Sequence, residues 1–278
     1  MLVATVGLIG LAAAAAAPAR THGLLLRSAL TPDSVAFRDP LHGVLGSGWQ
    51  GCEYRTAPCR TAGAISITSD GGKTWRLVLR TPRPVIYASF ANGRYYVQLD
   101  DGETLTGKGK RWKPHSPVWQ LPYAVCPQGW YAGIQSALFQ YTGSLAICSS
   151  QPGAGNQAKS VYRLTDRGWK RVAWTSMASP HAHGGISSYG YPVGIASSGK
   201  RFGVIWESRG TLYVTRDGGH EWHALPKVSR PEEDFGQWAD VVNDRVSFVV
   251  LAIGGSETRR LIETTDAGRA WRVVHRWR

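Results

Sequence analysis

Two acidic clusters and one histidine pair are where this 278-residue chain has the residue types for chemistry. Asp100, Asp101 and Glu103 lie together, as do Glu232, Glu233 and Asp234. Glycoside hydrolysis needs a general acid and a second carboxylate about 5 to 10 Å apart across the scissile bond. Adjacent loop carboxylates are also the ordinary make-up of a solvated turn, and both clusters read that way. His181 and His183, in "PHAHGG", would point to one side of an extended chain, as the first two ligands of a metal do. No further ligands accompany them at a matching spacing, so the stretch reads as a loop. "GETLTGKG" (Gly102 to Gly109) and "GIASSGKR" (Gly194 to Arg201) imitate a phosphate loop. Both lack the following Ser or Thr and a helix to offer its N-terminus, so both read as strand turns. The expectation is therefore no catalytic set, no metal and no cofactor.

The elements that would position any site come from a repeat. "TSDGGKTW" (Thr68 to Trp75) returns as "TRDGGHEW" (Thr215 to Trp222) and "TTDAGRAW" (Thr264 to Trp271). The shared residues are Thr68, Asp70, Gly72 and Trp75, then Thr215, Asp217, Gly219 and Trp222, then Thr264, Asp266, Gly268 and Trp271. Each copy lies between two strand-like runs, such as "AISI" and "RLVL", which places it on a hairpin turn. There an Asp carboxylate accepts turn N–H groups, Gly supplies a positive φ, and Trp covers the apolar side of the hairpin. "LTGKGKRW" (Leu105 to Trp112) and "LTDRGW" (Leu164 to Trp169) are weaker copies between the first and second. The five Trp marks recur at roughly 40 to 60 residues, the spacing of a four-stranded propeller blade. Inner strands are expected upstream of each turn: "SVAF" and "HGVLGSG", "VIYASF" and "RYYVQLD", "YAVC" and "SALFQY", "VGIAS" and "RFGVIWES", "ADVV" and "RVSFVVLAIGG". No long amphipathic helix is apparent.

Thr/Ser-x-Asp-x-Gly-x-x-Trp after a strand resembles the Asp-box, or BNR, repeat of sialidases, sortilin-type receptors and propeller glycoside hydrolases. "AFRDPLHG" leading into "TSDGGKTW" looks most like the bacterial photosystem II assembly-factor group of such propellers. The resemblance covers about residues 34 to 275. It implies an all-β propeller of five to seven four-stranded blades, with the Asp-box turns structural and on the face opposite the binding face. The early Phe/Tyr-Arg-Ile-Pro motif of sialidases has only an echo in "FRDP", Phe37 to Pro40, where Asp39 replaces the apolar residue. "GLLLRSALTPDSVAF" resembles "RLVLRTPRPVIYASF", so Leu24 to Leu30 could form an outer strand of a further blade.

Composition agrees: 43% hydrophobic and 18% charged residues, with 33 Gly and 15 Pro, suit many short strands joined by tight turns. Residues 1–19, "MLVATVGLIGLAAAAAAPA", read as an export signal or an N-terminal membrane anchor, leaving 20–278 as one propeller domain. Four cysteines suit an oxidising compartment, with nearest-neighbour pairing of Cys52 with Cys59 and Cys126 with Cys148 expected. Of the twelve Trp, those outside the repeats are expected mainly to pack between blades.

A net charge of +13 favours a protein partner, an anionic surface or an acidic polysaccharide. No arginine-rich run or reading helix points to nucleic acid. If the Asp-box turns share one face, the segments joining successive blades share the other, and exposed loops on a rigid ring are where such folds bind. Those segments carry Arg80, Arg83, Lys113, His115 and Trp119, followed by His181, His183, Lys227, Arg230 and Glu232. The expected function is a monomeric, secreted or periplasmic, non-catalytic scaffold. The competing reading is an extracellular carbohydrate-active enzyme on the same fold.

Overall fold

The computed structural model describes residues 31–51, 60–115, 126, 131–132, 145–177, 183–198, 201–208, 211–225, 228, 234–253 and 258–277. These form a β-propeller of five four-stranded antiparallel sheets, each a meander of strands consecutive in sequence. Sheet 1 is β1 (Thr31–Phe37), β2 (Gly43–Gly51), β3 (Arg60–Thr68) and β4 (Arg76–Thr81). Sheet 2 is β5 (Val85–Ala91), β6 (Arg94–Leu99), β7 (Thr104–Lys108) and β8 (Arg111–His115). Sheet 3 is β9 (Tyr131–Ala132), β10 (Leu145–Ser149), β11 (Lys159–Thr165) and β12 (Gly168–Thr175). Sheet 4 is β13 (Pro192–Ser197), β14 (Gly203–Glu207), β15 (Leu212–Thr215) and β16 (His223–Ala224). Sheet 5 is β17 (Asp234–Val241), β18 (Ser247–Ile253), β19 (Arg259–Thr264) and β20 (Arg272–Trp277).

Inner and outer strands differ in sequence because they differ in cover. β18, "SFVVLAI", is buried at nearly every position, since the neighbouring sheets pack on both of its faces. β4, "RLVLRT", is largely exposed, as the last strand of its sheet. The core is a series of seams. Ile147 and Val161 of sheet 3 meet Ile195 and Ile205 of sheet 4, and Trp206 and Val214 of sheet 4 meet Val249 and Leu251 of sheet 5. Phe248 and Leu261 of sheet 5 meet Val35 and Leu45 of sheet 1, and Val44 and Ile65 of sheet 1 meet Val97 and Leu99 of sheet 2.

The three repeat turns share one geometry. Thr68 Oγ1 donates to Asp70 Oδ1 at 2.7 Å and accepts the Gly72 N–H at 2.9 Å; Thr215 with Gly219, and Thr264 with Gly268, do the same within 0.2 Å. The Asp oxygen then collects the following turn N–H groups, from Thr74, from His220 and Glu221, and from Arg269 and Ala270, at 2.9 to 3.0 Å. Each turn also ties to the first hairpin of its own sheet: Gly71 N–H to Leu41 O, Gly218 N–H to Arg201 O, Ala267 N–H to Arg245 O. Gly72, Gly219 and Gly268 all have positive φ. A Cβ on any of them would strike the preceding sheet: Leu261 Cδ2 at 2.5 Å from Gly72, Leu145 Cδ2 at 2.9 Å from Gly219, Val214 Cγ1 at 2.9 Å from Gly268. Sheet 1 therefore meets sheet 5 as sheet 5 meets sheet 4 and sheet 4 meets sheet 3. The same seam carries a stack of Phe37 on Phe248 at 3.6 Å and a bond from the Phe37 N–H to Asp240 Oδ2 at 2.6 Å.

The weaker copies are plain hairpins. Gly109 and Lys110 join β7 to β8, and Asp166 and Arg167 join β11 to β12, with Thr165 Oγ1 donating to Gly168 O. The second strand of sheet 3 is "LAICS", which the strand assignment from sequence passed over. "YAVC" and "SALFQY" lie outside the described residues apart from Cys126, as do residues 1–30 with the Leu24 to Leu30 strand and the Cys52 and Cys59 pair. Cys126 is disulfide-bonded to Cys148 of β10, with a Cα–Cα distance of 5.6 Å. Trp206 and Trp238 are buried in the sheet seams, 6.1 Å apart, as packing aromatics.

Two outcomes follow. Asp217→Ala strips two turn N–H groups of their acceptor and is expected to cost about 1 to 3 kcal/mol of unfolding free energy in a urea titration; an unchanged midpoint would contradict the role given to this turn. Asp240 gives a pH effect. Burial lifts its pKa from 3.8 to about 7 against the opposing N–H of Phe37 and Val241, so the folded state holds a proton that the unfolded chain releases. The stability from this group is fully present below pH 3.8 and is lost as pH rises through about 7. Urea midpoints across that range should fall less steeply for Asp240→Asn than for the parent, and equal slopes would refute the assignment.

Candidate functional site

Strand direction sorts the connections into two ends. In sheet 1 the chain runs up β1, turns at residues 38–42, descends β2, climbs β3, turns at 69–75 and descends β4. The first hairpins and the repeat turns thus share one end, while the β2–β3 links and the segments between sheets share the other. At that second end, Arg83 lies exposed in the link from β4 to β5, with its Nε 3.7 Å from Asp101 Oδ2 in the β6–β7 turn. Arg80 is exposed on β4, and Lys113 and His115 lie on β8. These three belong to outer strands and not to the links assigned from sequence, because β4 and β8 run further toward that end than the residue pattern indicated. His115 packs on the Tyr96 ring at 5.2 Å. Among the described residues no carboxylate pairs with Arg80 or Lys113.

His183 is fixed by backbone, exchanging hydrogen bonds of 3.0 and 2.9 Å with Trp174 of β12. Its ring stacks on the indole at 4.0 Å, and the Arg171 guanidinium lies 4.5 Å from the centre of the same Trp174 ring system. Trp119, His181, Lys227, Arg230 and Glu232 lie outside the described residues. Among the described residues no group of three or more His, Cys, Asp or Glu could hold a metal. Asp101 caps the Glu103 N–H of its own turn, the arrangement expected of a solvated acidic turn.

Three carboxylates have pKa values raised to about 7 by burial: Asp33 on β1, Glu207 on β14 and Asp240 on β17. They occupy three different sheets, and each has a partner. Arg259 opposes the shift at Asp33, the Phe37 N–H holds Asp240, and Glu207 forms a short ion pair with Lys159 of β11. The Lys159–Glu207 pair was not foreseen, although half of its signal was present in the sequence: Glu207 is the one charge in the otherwise apolar run of β14. Both side chains are inaccessible to solvent. Lys159 Nζ also donates to Ser187 O at 2.9 Å and Tyr189 O at 2.7 Å, pinning the segment between sheets 3 and 4. Burial lowers the Lys159 pKa as it raises that of Glu207. The pair joins β11 of sheet 3 to β14 of sheet 4.

No protein-family model matches the chain. It is 27% identical over 180 residues to the photosystem II assembly lipoprotein Ycf48 of Parasynechococcus marenigrum strain WH8102, covering 62% of this chain and 46% of that protein. The Ycf48 of Synechococcus sp. strain CC9902 is 26% identical over 195 residues, covering 68% of this chain and 50% of that protein. The chain thus spans about half the length of the curated relatives it matches. A solved structure described as YCF48 bound to D1 peptide aligns with 86% of this chain and 94% of that chain, at 12% identity and a TM-score of 0.37.

Removing one member of the buried pair leaves the other charged and alone. Lys159→Met is expected to cost about 3 to 5 kcal/mol, and Lys159→Met with Glu207→Leu to recover most of it, read as a double-mutant cycle of denaturation midpoints. Additive losses in the double variant would show that the two groups do not act as a pair.

Proposed function

We propose that this chain is an exported, non-catalytic binding propeller that docks a protein or anionic partner at the end carrying the segments between sheets. The observation that carries the reading is the set of exposed cations at that end, Arg80, Arg83 and Lys113, of which only Arg83 has a carboxylate, Asp101, within ion-pair reach among the described residues. His115 and the Trp174–His183 stack add aromatic surface at the same end. Desolvated guanidinium and aromatic groups are the usual anchors of protein interfaces. Trp119, His181, Lys227, Arg230 and Glu232 belong to the same proposed face. The three Thr-x-Asp-x-Gly turns are read as Asp-box turns with a structural role at the opposite end. The assembly role in the names of the two Ycf48 relatives supports a scaffold, and their designation as lipoproteins supports an envelope location, secreted, periplasmic or at the cell surface. Residues 1–19 act in this reading as the export signal or anchor.

The test is a pull-down from the envelope fraction of the source cell, with bound proteins identified by mass spectrometry. Wild type is compared with a variant reversed in charge at Arg80, Arg83, Lys113 and Arg230, and a thermal melt shows that the variant is folded. A partner retained by the parent and lost by the folded variant at moderate salt is the expected result. Equal capture by both, or cleavage of a glycan panel by the parent, would sink the proposal.

A further inference from the structure

A cleft of about 560 Å³ opens where the outer strands of sheets 4 and 5 meet. Blade 4 contributes Ala224, Leu225 and Val228; blade 5 contributes Ile262, Trp271 and Val273. Three arginines, Arg260, Arg269 and Arg272, also line it, and among the described residues no carboxylate side chain does. The cleft exists because β16 is only two residues long, whereas the outer strand of sheet 5, β20, has six. Ile262 is buried beneath it, and Trp271 and Leu225 are half-buried, so the base is apolar. Arg269 and Arg272 are exposed.

Among the described residues, Glu263 and Asp266 meet Arg272 and Arg269 differently. Glu263 takes the Arg272 guanidinium through two hydrogen bonds of 2.9 and 2.7 Å to one oxygen. Asp266 directs its Oδ1 into its own turn, to Arg269 N–H and Ala270 N–H, and Arg269 Nη1 is left to bond the Asp266 carbonyl. Arg216 crosses from sheet 4 to bond Ala267 O at 2.7 Å and feels Arg269 as a like charge, which helps to lower its pKa after burial itself. A site that combines packed arginines with an apolar base selects a ligand with one anionic end and a water-averse body. Guanidinium forks match a carboxylate in shape as well as charge. The volume lies within the range of small-molecule pockets and suits one compact molecule better than a length of polypeptide.

We propose that this cleft binds a free amphiphilic monocarboxylate of medium chain length, its carboxylate on the arginine rim and its chain along Ile262, Leu225 and Trp271. This site lies on the outer wall and is independent of the docking end proposed above. The experiment uses the full chain with 8-anilinonaphthalene-1-sulfonate, an aromatic anion whose fluorescence rises in apolar surroundings, displaced by sodium decanoate. Decanoate should displace the dye from wild type and from a control, Arg94→Gln with Arg111→Gln, at the same concentration. Arg260→Gln with Arg269→Gln should weaken decanoate at least about tenfold. Ala224→Trp, which fills the cleft from the exposed strand β16, should abolish displaceable binding, and it keeps the test decisive if the arginine variant melts early. The proposal fails if both cleft variants bind decanoate like the parent. It fails equally if neutral octyl glucoside or simple acetate displaces the dye as well as decanoate, or if an acidic hexapeptide does so at lower concentration.

Discussion

The structure depends on the contact between the glycine of each repeat turn and the sheet before it. A hairpin held by Thr and Asp presents a residue without a side chain to Leu or Val of the neighbouring blade, at a distance no Cβ could occupy. Two demands meet at that residue: a positive φ for the turn and an atomic gap for the neighbour. Glycine answers both. The third copy shows how tight the requirement is one residue earlier, where Gly71 and Gly218 give way to Ala267, held at φ 60. A left-handed alanine costs about 1 to 2 kcal/mol, and the turn keeps its hydrogen bonds regardless.

From that contact the ring follows. Each described sheet is built from strands consecutive in sequence. The join between sheets 5 and 1 repeats the turn-to-sheet contact of the seams between sheets 3 and 4 and between sheets 4 and 5, and adds the Phe37–Phe248 stack and the Asp240 bond to the Phe37 N–H. Burial makes that carboxylate an unusual fastener, because the surroundings that strengthen its hydrogen bond also resist its charge. Lys159 and Glu207 fasten sheets 3 and 4 in a related way, with the charge balanced within the pair and surplus donors spent on two backbone carbonyls.

A ring fastened through its seams leaves its ends and its outer wall free to vary. At one end the repeat turns are saturated with internal hydrogen bonds, and their Asp oxygens face their own backbone. At the other end, cations stand with few described partners, and on the wall a short outer strand uncovers an arginine-rimmed cleft. Among the described residues, the three carboxylates whose pKa burial raises lie in three different sheets.

The sequence by itself determined the fold class, the three turns, their hydrogen-bond chemistry and the approximate place of most strands. These features are local: an eight-residue motif contains its own donors and acceptors, and an apolar run long enough for one buried strand is visible without knowing its neighbours. It also indicated the pairing of Cys126 with Cys148, which the structure bears out. Only the tertiary structure decided what lies across a seam. The Lys159–Glu207 joint, the Asp240 fastener and the arginine cleft each join residues from different blades, and no spacing along the chain encodes which lysine will face which glutamate. Arg80, Lys113 and His115 were assigned to links from sequence, whereas they stand on strands. Outer strands are exposed, polar and short, so their composition resembles that of loops, and their extent is fixed by pairing with the inner strand beside them.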